Sequence, residues 1–170
     1  MSSETVRLAS LGLGWWSDEL ADAVGRAEGV EIISCFTRSK DKREAFAKKF
    51  DCYAASNYDE ILTDPQIDGI INTTPNNVHL ETTRKAAEAG KHTFLDKPIA
   101  NTVAEGLEIT RICRDANVRL SIGFQRRRET HFRWVKEQID AGEFGYLVQA
   151  EANISRDRLG QFEEGHWRYT

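Results

Sequence analysis

Cysteine is scarce in this chain: Cys35, Cys52 and Cys113 are the only three in 170 residues. They are odd in number, far apart and in no C-x-x-C pair, so neither a disulfide framework nor a zinc site is suggested, and they are read as reduced packing residues. A run of 18 apolar residues is also missing, so no membrane-spanning helix is expected. The opening Met1-Ser2-Ser3-Glu4-Thr5 lacks the basic and apolar regions of a secretory signal, which makes a cytoplasmic location the expectation. There is no large surplus of one charge: 23 Lys+Arg against 27 Asp+Glu leave a net −4, no general attraction for nucleic acid or for an anionic membrane. What is present is 40% apolar and 29% charged sequence without repeats or low-complexity tracts, which excludes disorder and collagen-like structure and suits one globular domain plus part of another.

Short β-type runs alternate with helix-length amphipathic segments, the pattern of a parallel sheet with helical crossovers. The runs predict strands at 6–12, 31–37, 52–54, 67–73, 92–95 and 118–124. Between them, Trp16, Leu20, Val24 and Ala27 make a stripe at helical spacing, as do Phe46 with Phe50, and Val103, Leu107 and Thr110. Each stripe is expected to cover a sheet face. Asn77 reads as the cap of a helix running to Ala89 and closed by Gly90, and Thr102 with Glu105 reads as a capping box. After Phe124 the character changes. Arg126, Arg127, Arg128, Arg133 and Lys136 stand against Glu129 alone, and a helix with Phe132, Val135 and Ile139 on one face ends near Gly142. Residues 146–155 then alternate apolar and polar, predicting a long strand without a partner in the chain, whose free edge makes a homo-oligomer the expected state.

Gly12-Leu13-Gly14-Trp15-Trp16-Ser17 follows the first predicted strand and opens a helix. In that setting Gly12 allows a tight turn and Gly14 lets backbone approach a pyrophosphate, whose charge meets the N–H groups at the helix start around Trp15 and Trp16. Ser17 stands where the dinucleotide fingerprint wants Gly or Ala, leaving a small residue for helix–strand packing; a plain turn is the alternative. The second strand ends in Thr37-Arg38-Ser39, where an acid would select NAD. Arg38 as a charged donor fork and the hydroxyls of Thr37 and Ser39 suit a 2′-phosphate, so NADP is the expected cofactor and NAD the second choice. Asp41, the nearest acid, comes later; a solvated Arg38 at a helix start is the competing reading. At the same sheet edge lie Asn72-Thr73-Thr74-Pro75-Asn76-Asn77-Val78-His79 and Asp96-Lys97-Pro98, which on their own also read as a Pro-Asn turn with a surface histidine and as an exposed ion pair.

Taken together, the glycine loop, Thr74–His79, Ala89-Gly90-Lys91-His92 and Asp96-Lys97-Pro98 stand in an order and spacing that resemble the Gfo/Idh/MocA oxidoreductases, from about Val6 to Ser155. Asp96 replaces the glutamate usual in that family. The resemblance implies that Lys97 is the catalytic residue beside the nicotinamide ribose and the substrate. It also implies that Thr74, Pro75, Asn76 and His79 line the cofactor with Asp96 nearby, and that the Lys97–Pro98 bond is cis. Gly123-Phe124-Gln125-Arg126-Arg127 resembles the family's crossing into its substrate domain, with Gln125 toward cofactor and Arg127 toward substrate; Arg126 and Arg128 read equally as a solvated helix start. No Asp-x-x-x-His occurs, so the proton-transfer histidine is expected beyond Thr170, with His131 and His166 candidates by residue type only.

The expected fold is α/β, a doubly wound Rossmann-type parallel sheet over 1–123 followed by the beginning of an α+β substrate domain at 124–170. The expected function is NAD(P)-dependent hydride transfer to or from a small polyol, sugar, dihydrodiol or aldehyde, with no metal. The chain alone is expected to bind cofactor without turnover. Two rivals remain: a dinucleotide-binding sensor without Lys97 chemistry, and an S-adenosylmethionine-dependent transferase, disfavoured because Cys35-Phe36-Thr37-Arg38 lacks an acid for the ribose hydroxyls.

Overall fold

The structure, a computed structural model, describes residues 5–155. Six parallel strands form one sheet in the order β3-β2-β1-β4-β5-β6. They are β1 (Val6–Leu11), β2 (Val30–Phe36), β3 (Tyr53–Ala54), β4 (Gly69–Asn72), β5 (His92–Leu95) and β6 (Leu120–Ile122). The helices are α1 (Trp15–Gly25), α2 (Lys40–Phe50), α3 (Tyr58–Thr63), α4 (His79–Glu88), α5 (Val103–Asp115) and α6 (Thr130–Asp140). This is the doubly wound Rossmann-type fold that the alternation predicts. The strand order reverses between β1 and β4, the place where open α/β sheets leave a crevice at their carboxyl ends.

Period-two alternation divides the core. Ile33 packs with Ala9, Leu11, Ile61, Ile67, Ile70 and Ala86, whereas its neighbour Ile32 packs with Leu13, Ala21, Cys35 and Phe46. Phe46 and Phe50 meet with ring centroids 4.5 Å apart, as their spacing predicts. Lys91 is almost fully buried, and its ammonium donates to the carbonyls of Asp64 (2.6 Å) and Ile67 (2.7 Å), pinning the turn before β4.

The Thr102–Glu105 capping box forms, and Gly90 ends α4 at φ +71°. Other local expectations are corrected. Val103 and Leu107 are 81% and 68% exposed, so α5 does not cover the sheet with that stripe. Its buried residues are Gly106, Ile109 and Cys113, because Gly106 lets the helix approach Ile99 closely, where a Cβ would stand 3.3 Å from Ile99 Cγ2. Asn77 does not cap α4; it lies inside a 3₁₀ turn, Asn76–Val78, that feeds directly into His79. Helix α3 arises where no helix is predicted, and its signal is Asn57, whose side chain accepts from Glu60 N at 2.9 Å. The last strand is only Leu120–Ile122: Gly123 N still donates to Leu95 O at 2.8 Å, but Phe124 N turns back to Ile122 O at 2.7 Å.

The chain divides into two compact units, one ending at Gln125 and the other beginning at Arg126. In the second, α6 carries Lys136 paired with Asp140, and His131 packs on Phe132 with ring centroids 4.4 Å apart. Residues 146–155 are not a strand, and Tyr146 and Val148 are 91% and 87% exposed. An alternating sequence supplies the face of a strand, but the strand itself needs another backbone to pair with.

Candidate cofactor site

A cavity of about 660 Å³ opens at the carboxyl edge beside the strand-order reversal, a size ordinary for a small-molecule site. Three chain turns wall it: Leu11–Gly14 after β1, Phe36–Arg38 after β2, and Thr73–Pro75 after β4; Tyr58, Asn77, Val78, Glu81, Thr82 and Lys85 complete it.

The turn after β1 depends on two glycines for different reasons. Gly12 has φ +83°, and a Cβ there would stand 2.7 Å from Thr74 N, so the residue serves the packing of one loop on the other. Thr73 reinforces that contact by donating from Oγ1 to the Gly12 carbonyl. Gly14 is the opposite case. A Cβ on it would meet nothing within 4 Å, so open space lies over the start of α1, where first-turn amides lack helical acceptors. Ser17, at the third fingerprint position, is 1% exposed and closes the turn: Gly14 N donates to its Oγ at 2.9 Å, and Oγ donates to Gly14 O at 2.6 Å. A glycine or alanine could not do this.

Asn72 shapes the wall after β4. Its Oδ1 accepts from Thr74 N (3.1 Å) and Thr74 Oγ1 (2.7 Å), and its Nδ2 donates to Thr82 Oγ1 at 2.8 Å. Tyr58 donates to Thr82 O at 2.9 Å, and burial pushes its phenol above the usual range. Asn72 opens the run that the sequence places at this edge, whereas Tyr58 and Thr82 are absent from the sequence reading of the site.

Of the residues singled out in the sequence, Gly12, Gly14, Thr37, Arg38, Thr74 and Pro75 line the cavity. Trp15 instead borders a neighbouring depression with Leu13 and Asp18, and its ring lies 5.4 Å from that of Trp16. Ser39 caps α2, accepting from Lys42 N at 3.5 Å, and is not among the residues lining the cavity. Asn76 belongs to the 3₁₀ turn, and Gln125 is exposed at the end of the first unit. His79 is neither a surface residue nor part of the lining: it is 0% exposed, and both ring nitrogens face backbone carbonyls.

Lys97 is exposed after β5 and forms no ion pair with Asp96 among the described residues; the Lys97–Pro98 bond is cis. Asp96 donates from its backbone to Asn72 O at 2.9 Å, while its Oδ1 is buried without a partner among the described residues. An orphaned carboxylate oxygen costs desolvation energy until a donor reaches it. Arg127 lies in the second unit, in a depression with Arg126, Arg128, Phe132 and Lys136. His131 is exposed there and sits 3.2 Å from Glu129. His166 lies outside the described residues. No cluster of metal-ligating side chains exists among the described residues, nor is any helix long and apolar enough to cross a membrane.

The sequence model of an oxidoreductase family with an NAD-binding Rossmann fold, Gfo/Idh/MocA, matches residues 6–124. The chain belongs to this oxidoreductase family. Among Gfo/Idh/MocA relatives, an uncharacterized oxidoreductase of Streptococcus pneumoniae is 32% identical over 143 residues, covering 84% of this chain and 38% of that protein. The scyllo-inositol 2-dehydrogenase (NAD(+)) of Bacillus subtilis is also 32% identical over 143 residues, covering 82% of this chain and 42% of its own. The WlbA dehydrogenase of Bordetella pertussis, solved in complex with NADH and UDP-GlcNAcA, has the same fold with TM-score 0.80 at 24% identity, covering 85% of this chain and 42% of that one. The chain thus spans about two fifths of the length of these Gfo/Idh/MocA proteins.

Proposed function

We propose that the protein is an NADP-preferring oxidoreductase acting on a small polyol, sugar, dihydrodiol or aldehyde, and that this chain carries its cofactor half. The observation that carries the reading is the cavity of about 660 Å³ at the strand-order reversal, with Gly14 leaving open space at the start of α1 and Arg38 on its wall. The residues fit a dinucleotide. First-turn amides of α1 can receive its pyrophosphate, Arg38 and Thr37 its adenosine ribose, and the Thr74–Pro75 wall its remaining length. Arg38 is exposed and in no ion pair among the described residues, so its donor fork is available to a phosphate. NADP is preferred on that ground, although the Bacillus subtilis relative is named for NAD(+).

When bound, the nicotinamide supplies a carbon that gives or takes hydride. The chain's own contribution is binding and orientation. Lys97 is the catalytic residue of this reading, anchoring the substrate oxygen with its ammonium, and Asp96 offers its orphaned oxygen to a hydroxyl donor. Gln125 is assigned to the cofactor and Arg127 to the substrate. A positioned base is worth about 10²–10⁴-fold in rate, and the Asp-x-x-x-His arrangement expected to supply it does not occur in these 170 residues. The 170-residue polypeptide is therefore proposed to bind dinucleotide without sustained turnover. The whole protein is proposed to work in the cytoplasm as a homo-oligomer, with sedimentation the measure of its assembly.

Titration of the chain with NADPH and NADH, followed by absorbance with a panel of polyols and aldehydes, tests the reading. The expected result is saturable binding, tighter for NADPH, with no turnover. Absence of binding would overturn the assignment, and turnover dependent on His131 or His166 would overturn the missing-base argument.

A further inference from the structure

Two loops leave adjacent strands at the carboxyl edge, one after β4 carrying Thr74 and one after β5 carrying Lys97. Their shared ladder ends where Asp96 N donates to Asn72 O at 2.9 Å. Past that point His79 spans them. Its Nε2 lies 2.9 Å from Thr74 O, and its Nδ1 lies 3.1 Å from Pro98 O and 3.3 Å from Ile99 O. Carbonyl oxygens only accept, so the protonated ring nitrogen donates to the carbonyl it faces and the other nitrogen packs against the carbonyl on the far side, the tautomer deciding which end is which. The ring is 0% exposed, which removes it from any role in touching ligand or exchanging protons with solvent. Its position has one mechanical consequence: the carbonyls it holds immediately follow Lys97 on one side and form the cavity wall on the other. Lys97 is exposed and lacks an ion pair with Asp96, so the backbone behind it is the restraint on where its ammonium starts.

We propose that His79 is a positioning residue that couples the cofactor-wall loop to the Lys97 loop, setting the lysine relative to the cavity. The inference rests on the reading of Lys97 as the group beside the nicotinamide. An apolar side chain could fill the same space but would remove the ring N–H from between the two carbonyls and leave the two loops independent. Glutamine keeps an amide donor that can reach one loop but lacks the rigid ring that touches both.

The test has two arms. Hydrogen exchange on the ligand-free chain compares wild type with His79→Gln and His79→Leu. Amides at 73–77 and at 97–101 are expected to exchange together about tenfold faster in both variants, with β1 and β2 unchanged. Acceleration confined to α4 or to one loop would overturn the coupling; if His79→Leu does not fold, His79→Gln alone decides. The second arm is a double-mutant cycle on NADPH affinity with Lys97→Ala. His79→Gln is expected to weaken binding about fivefold when Lys97 is present and less than about twofold when it is alanine. Equal losses in both backgrounds would mean that His79 acts only on general stability, and would overturn the proposal. A wild-type chain that binds no dinucleotide would sink the cofactor reading instead, and the exchange arm, run without ligand, would still decide the clamp.

Discussion

Gly12 and Thr74 lie so close that a Cβ on the glycine would stand 2.7 Å from the threonine's backbone nitrogen. Two turns separated by about sixty residues thus touch through backbone, and the glycine is the element that lets them. Gly12→Ala meets both a left-handed φ and a backbone collision. The expected cost is about 2–4 kcal/mol of stability, read as a lowered urea midpoint with an unchanged slope, together with loss of dinucleotide binding.

Arg38 should decide between the two nicotinamide cofactors. A charge-assisted hydrogen bond contributes about 1.5–3 kcal/mol, so Arg38→Ala is expected to weaken NADPH about tenfold or more and to leave NADH within about twofold. Isothermal titration of both cofactors on both proteins checks it. An unchanged NADPH preference in the variant would remove Arg38 from the site.

Asn72 is 1% exposed and satisfies Thr74 N, Thr74 Oγ1 and Thr82 Oγ1 at once. Asn72→Ala leaves the Thr74 amide without its acceptor, with an expected cost of about 2–4 kcal/mol by chemical denaturation. Because Thr74 lines the cavity, dinucleotide affinity should fall as well.

The cysteines should differ in their pH profiles. Cys35 Sγ donates to Arg43 O at 3.7 Å; its interaction with Cys52 pulls the Cys52 thiol below its ordinary range and, with burial, pushes Cys35 up, while burial alone pushes Cys113 up. A depressed thiol is ionised at lower pH, and the thiolate is the reactive form. Alkylation of Cys52 is expected to persist toward neutral pH, whereas Cys113 needs more alkaline solution. Cys35→Ala should move the Cys52 profile to higher pH. Mass spectrometry of iodoacetamide-treated protein across a pH series measures all three.

Local physics was legible without coordinates. Strand and helix periods, the Thr102–Glu105 box and the Gly90 stop each depend on residues within about one helical turn, so the sequence alone determined the α/β alternation and the glycine turn at its start. The motif order likewise located the cavity edge. Only tertiary structure decided which of those motif residues meet. His79 looks like a surface residue until the β5 loop brings Pro98 and Ile99 to its ring, and Asn77 looks like a helix cap until it falls inside the 3₁₀ turn that feeds α4. The Val103 and Leu107 stripe has helical spacing, yet Gly106 presents the face that approaches Ile99. Residues 146–155 carry a strand's alternation and are no strand. In each case the deciding partner is distant in the chain or is another backbone. A residue's periodicity records which side it shares with its neighbours, not what the fold will set against that side.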